Sequence, residues 1–188
     1  IAYSESKRGQ PVVVAVEPRT SEILRPDGLG KLKAVAANID QVFIVMAPMP
    51  EPAPTLVDRY LVAAENAGLK AFLVYNKADL GITDETEKWL EEYKALGYPV
   101  LFCSSHDGYG LEGVKTALKG YNNIVVGQSG VGKSSMLNAI LPDAQMKVGQ
   151  LSEAREKGRH TTTSSQMFAL PEGGFLIDSP GIREFHLN

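Results

Sequence analysis

Continuous apolar runs mark the predicted strands along this chain. Residues 42–46 and 71–75 are apolar or aromatic at every position, and residues 124–126 form a shorter run of the same kind. Strands without a polar face are typical of a parallel sheet that helices cover on both sides. The β-branched run at residues 12–16 and the apolar run at 99–103 predict two further strands.

Helical spacing appears between the first two buried runs. Val57, Tyr60, Leu61 and Ala64 recur at the spacing of one helix face, and Gly68 is a residue type that ends helices. This spacing predicts a helix that packs its apolar face on the sheet. A strand, a helix and a second strand in that order form the unit from which parallel sheets are built.

The same alternation continues along the chain. Four prolines within residues 48–54 predict a non-helical loop after the first buried strand. A charged helix is predicted over residues 84–96, with Trp89 and Leu90 toward the core, and another helix around residues 111–118. Each of these helices precedes a predicted strand, as in a layered α/β fold.

A hairpin is predicted near the carboxyl end. The apolar residues 167–170 and 175–177 flank a Pro-Glu-Gly-Gly turn at residues 171–174. Antiparallel neighbours need only such a short connection, whereas parallel neighbours need a crossover. We therefore predict an α/β fold whose mostly parallel sheet carries one antiparallel edge strand.

Composition narrows the class of protein. With 188 residues, 44% of them apolar, the chain is long enough for one α/β domain. No apolar run approaches the roughly 20 residues that span a bilayer, and no signal-peptide pattern opens the chain, which predicts a cytoplasmic protein. The one cysteine, Cys103, cannot form an internal disulfide and is expected at a buried strand position. A net charge of −3 neither favours nor excludes a nucleic-acid partner.

A phosphate-binding loop is the strongest motif. Residues 127–135 follow a predicted strand and open a predicted helix that ends by Pro142, as the P-loop motif requires. Backbone N–H groups of such a loop bind phosphates, the lysine contacts the β and γ phosphates, and the serine after it offers a hydroxyl to Mg²⁺. A plain glycine-rich turn is the alternative. The candidate residues are Gly127, Gln128, Ser129, Gly130, Val131, Gly132, Lys133, Ser134 and Ser135.

The choice of nucleotide rests on residues 76–79, which follow a buried strand where open α/β sheets carry ligand loops. Their sequence, Asn76, Lys77, Ala78 and Asp79, resembles the guanine-recognition motif of GTPases. A carboxylate at Asp79 can accept hydrogen bonds from the guanine N1–H and exocyclic amine, which adenine does not offer. Asn76 would brace neighbouring loops, and the Lys77 stem would cover the base. For an isolated tetrapeptide, a surface turn is the alternative.

Three weaker motifs complete the predicted site. Ser104 and Ser105 follow another strand and resemble the short loop whose backbone contacts the guanine oxygen. Asp178 and Gly181 follow the last strand and resemble the loop whose aspartate holds Mg²⁺ through water and whose glycine senses the γ-phosphate. Thr162 lies in a polar stretch where a switch loop would supply a threonine to Mg²⁺, with a threonine-rich linker as the alternative.

The order of these motifs differs from that of ordinary GTPases. In those proteins the phosphate loop and the switches precede the base-recognition loops, whereas here residues 76–79 and 104–105 precede residues 127–135. A circular permutation keeps the same contacts when the original chain ends are close in space. We therefore predict a circularly permuted P-loop G domain, in which switch II connects directly to whatever follows it.

Together the motifs resemble the ribosome small subunit-dependent GTPase A family. The resemblance implies GTP and GDP as ligands, Mg²⁺ as a cofactor, an N-terminal OB-fold barrel and a C-terminal zinc domain. Residues 1–28 are then expected to be the end of the barrel and residues 29–188 the permuted G domain. Because the chain begins at Ile1, we expect part of a longer protein. Because the chain has one cysteine, we expect Zn²⁺ to be bound elsewhere in that protein. The residues that carry the resemblance are at positions 37–40, 76–79, 127–135, 160–163 and 178–185.

The resemblance also implies partners and a mechanism. Family members bind the small ribosomal subunit and its rRNA late in assembly, and an OB fold is a known type of RNA-binding surface. A monomer without a membrane partner is expected. Ile182 stands where GTPases usually carry a water-orienting glutamine, so His160 is the candidate that holds the attacking water, with a surface histidine as the alternative.

Three functions remain open from the sequence. The first is an assembly GTPase with slow intrinsic hydrolysis that the ribosomal subunit stimulates, in which Lys133 neutralises charge on the phosphates. The second is a GTP-binding module that signals without turnover. The third is an ATP-using P-loop enzyme, which Asp79 disfavours.

Overall fold

The computed structural model describes residues 2–5, 11–16, 18–26, 32–142 and 166–178. Within them the strands are β1 (Ala2–Glu5), β2 (Pro11–Ala15), β3 (Glu22–Pro26), β4 (Leu32–Ala37), β5 (Gln41–Met46), β6 (Lys70–Tyr75), β7 (Val100–Phe102), β8 (Asn122–Gly127), β9 (Gln166–Ala169) and β10 (Phe175–Asp178). The helices are α1 (Pro54–Asn66), α2 (Asp84–Ala95), α3 (Leu111–Leu118) and α4 (Lys133–Ile140), with one 3₁₀ turn at Ala78–Leu80.

A six-stranded sheet in the order β7-β6-β5-β8-β10-β9 forms the centre of the molecule. Its strands run parallel except β9, which pairs antiparallel with β10. The predicted α/β fold with one antiparallel edge strand is therefore confirmed. Because the other five strands are parallel, the carboxyl ends of β5, β6, β7, β8 and β10 lie along one edge, here called the carboxyl edge.

The two faces of this sheet carry separate buried clusters. Beneath α1 and α2 the sheet contributes Val42 and Ile44, and beneath α3 and α4 it contributes Phe43 and Val45. Successive side chains of a strand point to opposite faces, so every residue of β5 is buried. Each fully buried aliphatic side chain of this kind contributes about 1.5–3 kcal/mol to stability.

Helix α1 has the predicted apolar face, since Val57, Tyr60, Leu61 and Ala64 are all buried. Its start differs from the prediction. The four prolines were expected to form a loop throughout, but Pro54 is the first residue of the helix. A proline is suited to that position because the first N–H of a helix has no partner within it.

Helix α2 begins and ends as predicted, and two neighbouring residues on it are buried to different degrees. Thr83 caps its first turn by accepting a hydrogen bond from the Thr86 N–H at 3.2 Å. Leu90 is fully buried, whereas Trp89 is only half-buried and packs edge-on against Tyr93 with ring centroids 5.0 Å apart. Trp89 also packs against the buried cluster that contains Leu90, so the expectation that both residues face the core is confirmed. No helix in the described part of the chain is long and apolar enough to cross a membrane.

The amino-terminal strands form two antiparallel pairs, β1 with β2 and β3 with β4. Strand β2 corresponds to the predicted run at residues 12–16, whereas β4 was not predicted. The expected domain boundary after residue 28 falls between β3 and β4, which are hydrogen-bonded to each other. The division into an OB-fold remnant and a G domain stays a prediction.

A polar junction, here called the Asn38 joint, ties this amino-terminal part to the sheet. Asn38 adopts left-handed backbone angles with φ of 57°. Its side chain accepts a hydrogen bond from the Thr20 N–H at 2.8 Å and donates one to the Pro18 carbonyl at 3.0 Å. Asn122, at the start of β8, donates to the Asn38 carbonyl at 2.9 Å, and Asp40 accepts from the Asn122 N–H at 2.7 Å. The joint lies at the edge opposite the carboxyl edge, where β8 begins.

Candidate functional site

The predicted phosphate loop, residues 127–135, lies between β8 and α4 at the carboxyl edge. Its first residue must be glycine. Gly127 has φ of 142°, and a Cβ atom there would lie 2.1 Å from the Val45 carbonyl oxygen of the neighbouring strand. Only a residue without a side chain lets the chain leave the sheet so close to β5.

Lys133 is positioned by the loop itself. Its Nζ donates hydrogen bonds to the carbonyls of Gly127 at 2.8 Å and Gln128 at 2.6 Å, so the ammonium lies over the loop. Ser134 and Ser135 follow in the first turn of α4 and are half-buried. The N–H groups of the first turn of a helix have no partner within the helix and carry positive partial charge. Ammonium and helix start together form a site that favours an anion.

Asn76 connects this loop to the base-recognition loop, residues 76–79, that follows β6. The Asn76 side chain is completely buried. Its Nδ2 donates to the Val131 carbonyl at 2.9 Å and to the Gly132 carbonyl at 3.3 Å, while its Oδ1 accepts from the Ser105 N–H at 3.3 Å. Three loops from distant parts of the chain therefore share one amide group. The bracing role predicted for Asn76 is present in the structure.

Lys77 makes a second connection between the same two loops. It has left-handed backbone angles, with φ of 59° and ψ of 36°. Its Nζ donates to the Gly130 carbonyl at 2.7 Å and to the Met49 carbonyl at 2.8 Å. The lysine stem is thereby stretched across the surface between the base-recognition loop and the phosphate loop.

Ala78 and Asp79 lie in the 3₁₀ turn, with the Asp79 side chain exposed at the rim of the site. The Ala78 N–H donates to the Cys103 carbonyl at 3.0 Å, which fixes the turn to the end of β7. Beneath the turn, the hydroxyl of the buried Tyr75 donates to the Gly81 carbonyl at 3.2 Å. The carboxylate predicted to recognise guanine therefore projects from a braced turn.

The loop after β7 is held from within. Ser104 is fully buried, and its hydroxyl accepts hydrogen bonds from the N–H groups of His106 at 3.2 Å and Asp107 at 3.4 Å. The Ser104 N–H donates to the Tyr109 carbonyl at 2.8 Å, and the Ser105 N–H is used by Asn76. The Ser105 N–H bond to Asn76 brings this loop against the base-recognition loop. A contact between the backbone of the two serines and a guanine oxygen stays a prediction.

Asp178 ends β10 at the same edge as the phosphate loop, opposite Val125 of β8. Its carboxyl group is half-buried. Burial raises the pKa of this carboxyl, and the positive charge of Lys133 acts in the opposite direction. Asp178 and Ser134 offer a carboxylate and a hydroxyl, the hard oxygen ligands that Mg²⁺ prefers. These donors fit the predicted magnesium site.

Several predicted residues lie outside the part of the chain that the structure describes. They are His160, Thr162 and Gly181. Their roles in orienting water, binding Mg²⁺ and sensing the γ-phosphate stay predictions. Among the described residues, no three His, Cys, Asp or Glu side chains cluster to hold a metal ion.

Two residues contact the site although no sequence motif predicted that they would. Met49 lies in the loop after β5 and accepts a hydrogen bond from Lys77. The Cys103 thiol, fully buried at the end of β7, lies 3.6 Å from Asn76 Oδ1 and 3.8 Å from the Met136 sulfur. Both follow strands of the carboxyl edge, where open α/β sheets place ligand loops, and that position was the available indication.

Comparison with known proteins gives a consistent result. The family model described as RsgA GTPase matches residues 16–188. A curated relative from Ectopseudomonas mendocina, described as a small ribosomal subunit biogenesis GTPase, is 52% identical over 191 residues. The alignment covers 100% of this chain and 55% of that relative, so the chain spans about half the length of the curated protein it matches.

Two solved structures share the architecture. YjeQ from Thermotoga maritima has 34% sequence identity and a TM-score of 0.74, covering 99% of this chain and 60% of that one. YloQ, described as a circularly permuted GTPase, has 23% identity and a TM-score of 0.67, covering 98% of this chain and 56% of its own. At that identity the second likeness concerns the fold alone. It agrees with the motif order of the sequence, so the predicted circular permutation is confirmed.

Proposed function

We propose, because this chain belongs to the RsgA GTPase family, that it binds GTP and hydrolyses it to GDP and phosphate. One observation carries the proposal. The base-recognition loop and the phosphate loop are joined directly, by Asn76 to the Val131 carbonyl at 2.9 Å and by Lys77 to the Gly130 carbonyl at 2.7 Å. A base held by one loop and phosphates held by the other then belong to a single nucleotide.

Guanine is selected by Asp79. Its carboxylate is exposed at the rim of the site and is an acceptor only, so it suits the N1–H and the exocyclic amine of guanine. Adenine offers no matching pair of donors, and its bound form would leave the carboxylate without partners. The braced 3₁₀ turn keeps this group in place before the nucleotide arrives.

Phosphates bind over the phosphate loop. Backbone N–H groups of the loop and the start of α4 donate to phosphate oxygens, and the Lys133 ammonium neutralises charge that develops on the γ-phosphoryl group during its transfer. The two carbonyls that hold Lys133 place its charge beforehand. No reorganisation of this side chain is then needed in the transition state.

Ser134 and Asp178 are the residues that would hold Mg²⁺, Asp178 through water, with Thr162 as a third candidate. When bound, Mg²⁺ neutralises negative charge on the β and γ phosphate oxygens. Burial raises the pKa of the half-buried Asp178 carboxyl, and the charge of Lys133 opposes this effect by favouring the ionised form, which is the form that would support a cation.

The residue that orients the attacking water is the part of the site that the sequence motifs support least. His160 is the candidate, since an imidazole can hold or deprotonate a water near neutral pH. Ile182 stands where ordinary GTPases use glutamine. We therefore expect slow intrinsic hydrolysis that accelerates when a partner binds.

The partner that we propose is the small ribosomal subunit. The curated relatives that match the chain are described as GTPases of small ribosomal subunit biogenesis. The same proposal has three finer parts. They are contact with rRNA through an OB fold near residues 1–28, a monomeric state and a zinc domain elsewhere in the protein.

The test is GTP turnover with and without isolated small ribosomal subunits, with ATP as the control nucleotide. We expect GTP-specific hydrolysis that rises with subunits and loses this rise in His160→Ala.

Asp79→Asn should bind GTP at least about tenfold more weakly and gain affinity for xanthosine triphosphate, whose 2-oxo group accepts from an amide. Asp84→Asn, an exposed change at the start of α2, is the matched control. Binding without turnover under every condition would leave a passive GTP-binding module instead.

A further inference from the structure

A loop outside both nucleotide motifs lies against both of them. Residues 47–53, here called the proline loop, connect β5 to α1. The Met49 carbonyl accepts the hydrogen bond from Lys77 Nζ at 2.8 Å. The Pro50 ring lies 3.5 Å from the position that a Cβ atom would take at Gly130. The proline loop therefore touches the base side and the phosphate side of the site at once.

The contact with Lys77 fixes a side chain that is otherwise mobile. Lysine loses more rotamer freedom on ordering than most residues. Here its ammonium is held between two carbonyls, those of Met49 and Gly130, while its backbone is fixed in left-handed angles. Both ends of the side chain are thus set, and the alkyl stem between them has little freedom left.

We propose that the proline loop is a positioning element of the nucleotide site, which sets Lys77 in its base-covering conformation before the nucleotide binds. The inference rests on the proposed GTP-binding function. Pro48, Pro50 and Pro52 restrict the backbone, so the Met49 carbonyl is presented at a constant place. Less conformational entropy is lost when a nucleotide binds to a site that is already ordered, so the nucleotide binds more tightly. It should be equal for GDP and GTP, because the loop acts on the base side through Lys77.

The test compares nucleotide affinity in single and double variants. Pro50→Gly frees the loop and should raise the Kd for GDP and GTP alike by about twofold to fivefold. Pro171→Gly, in the exposed turn between β9 and β10, is the matched control and should leave both Kd values unaltered. Lys77→Met keeps the stem and removes the ammonium. In that background Pro50→Gly should add no further loss, since the group through which the loop acts is gone.

The outcomes separate this inference from the proposed function. A wild-type chain that binds no guanine nucleotide contradicts the proposed function itself. Wild-type binding with an unchanged Kd in Pro50→Gly, or losses that add in the double variant, overturns the positioning role. Thermal unfolding verifies that each variant is folded. If Pro50→Gly does not fold, Pro52→Gly in the same loop replaces it with the same expected direction.

Discussion

Two asparagines at opposite edges of the sheet perform the same task under different conditions. Asn76, at the carboxyl edge, gathers backbone groups of Val131, Gly132 and Ser105 and is completely buried. Asn38, at the opposite edge, gathers backbone groups of residues 18 and 20 and is only half-buried. Both use one amide to join segments that lie far apart in the sequence.

Burial decides what each joint contributes. A buried donor or acceptor that loses its partner costs about 1–3 kcal/mol, because water cannot reach it. At a half-exposed joint water replaces the lost partner, and a hydrogen bond contributes only about 0.5–1.5 kcal/mol. Substitutions at the carboxyl edge are therefore expected to lower stability more than substitutions at the opposite edge. Only those at the carboxyl edge should also weaken nucleotide binding.

The largest effect is expected for Asn76→Ala. It removes the Asn76 amide from the buried Val131 carbonyl and from the half-buried Ser105 N–H, which should lower the free energy of unfolding by about 1–3 kcal/mol at the first and about 0.5–1.5 kcal/mol at the second and remove measurable nucleotide binding. Denaturant unfolding and titration with a fluorescent guanine nucleotide check this. Asn66→Ala, at the exposed end of α1, is the control and should stay within about 0.5 kcal/mol. Equal losses in Asn76→Ala and Asn66→Ala would contradict a special role for the buried Asn76 amide.

A pair of glycines tests the same comparison sterically. Gly132 and Gly120 both have left-handed φ, of 87° and 76°. An added Cβ at Gly132 would lie 2.5 Å from Asn76 Nδ2, whereas at Gly120 it would meet nothing within 4 Å. Each alanine should cost about 1–2 kcal/mol of stability through its backbone angles. Only Gly132→Ala should also raise the nucleotide Kd, on the order of tenfold. A comparable rise in Gly120→Ala would show that backbone strain alone weakens binding.

Asn38→Ala should affect stability but not the nucleotide site. It removes partly hydrated hydrogen bonds, which contribute about 0.5–1.5 kcal/mol, and puts an alanine at a φ of 57°, which costs about 1–2 kcal/mol, so stability should fall by about 1.5–3.5 kcal/mol. Asn38→Gly should recover the backbone part of that loss. Nucleotide affinity should not change in either variant. Weaker binding in Asn38→Gly would mean that the amino-terminal joint acts on the distant site through β8.

The smallest effect concerns Cys103, beside Asn76. Burial raises the pKa of its thiol from 9.0 to about 12, so a thiol reagent at pH 8 should label the folded protein only as fast as it opens. The unfolded thiol ionises above about pH 9 while the folded one keeps its proton. The stability that this group contributes is therefore complete below pH 9 and falls as the pH rises toward 12. Rapid labelling of folded protein at pH 8 would contradict the burial.

Much of the fold was predictable because its causes are local. The buried runs of β5, β6 and β8 and the apolar face of α1 follow from side-chain periodicity, which depends only on neighbouring residues. Trp89 faces the core as predicted but is only half-buried, because how far an amphipathic residue is covered depends on which elements pack beside it.

The sequence by itself determined the alternation of strands and helices from β5 to β10, the phosphate loop and the permuted order of the motifs, since these depend on residue types at short spacing. The tertiary structure decided which loops meet. Asn76 and Val131 lie 55 positions apart, and Lys77 and Met49 lie 28 apart, yet each pair is hydrogen-bonded. Such contacts depend on parallel strands ending at one edge of a twisted sheet, a placement that the packing of the whole domain sets and that no local pattern records.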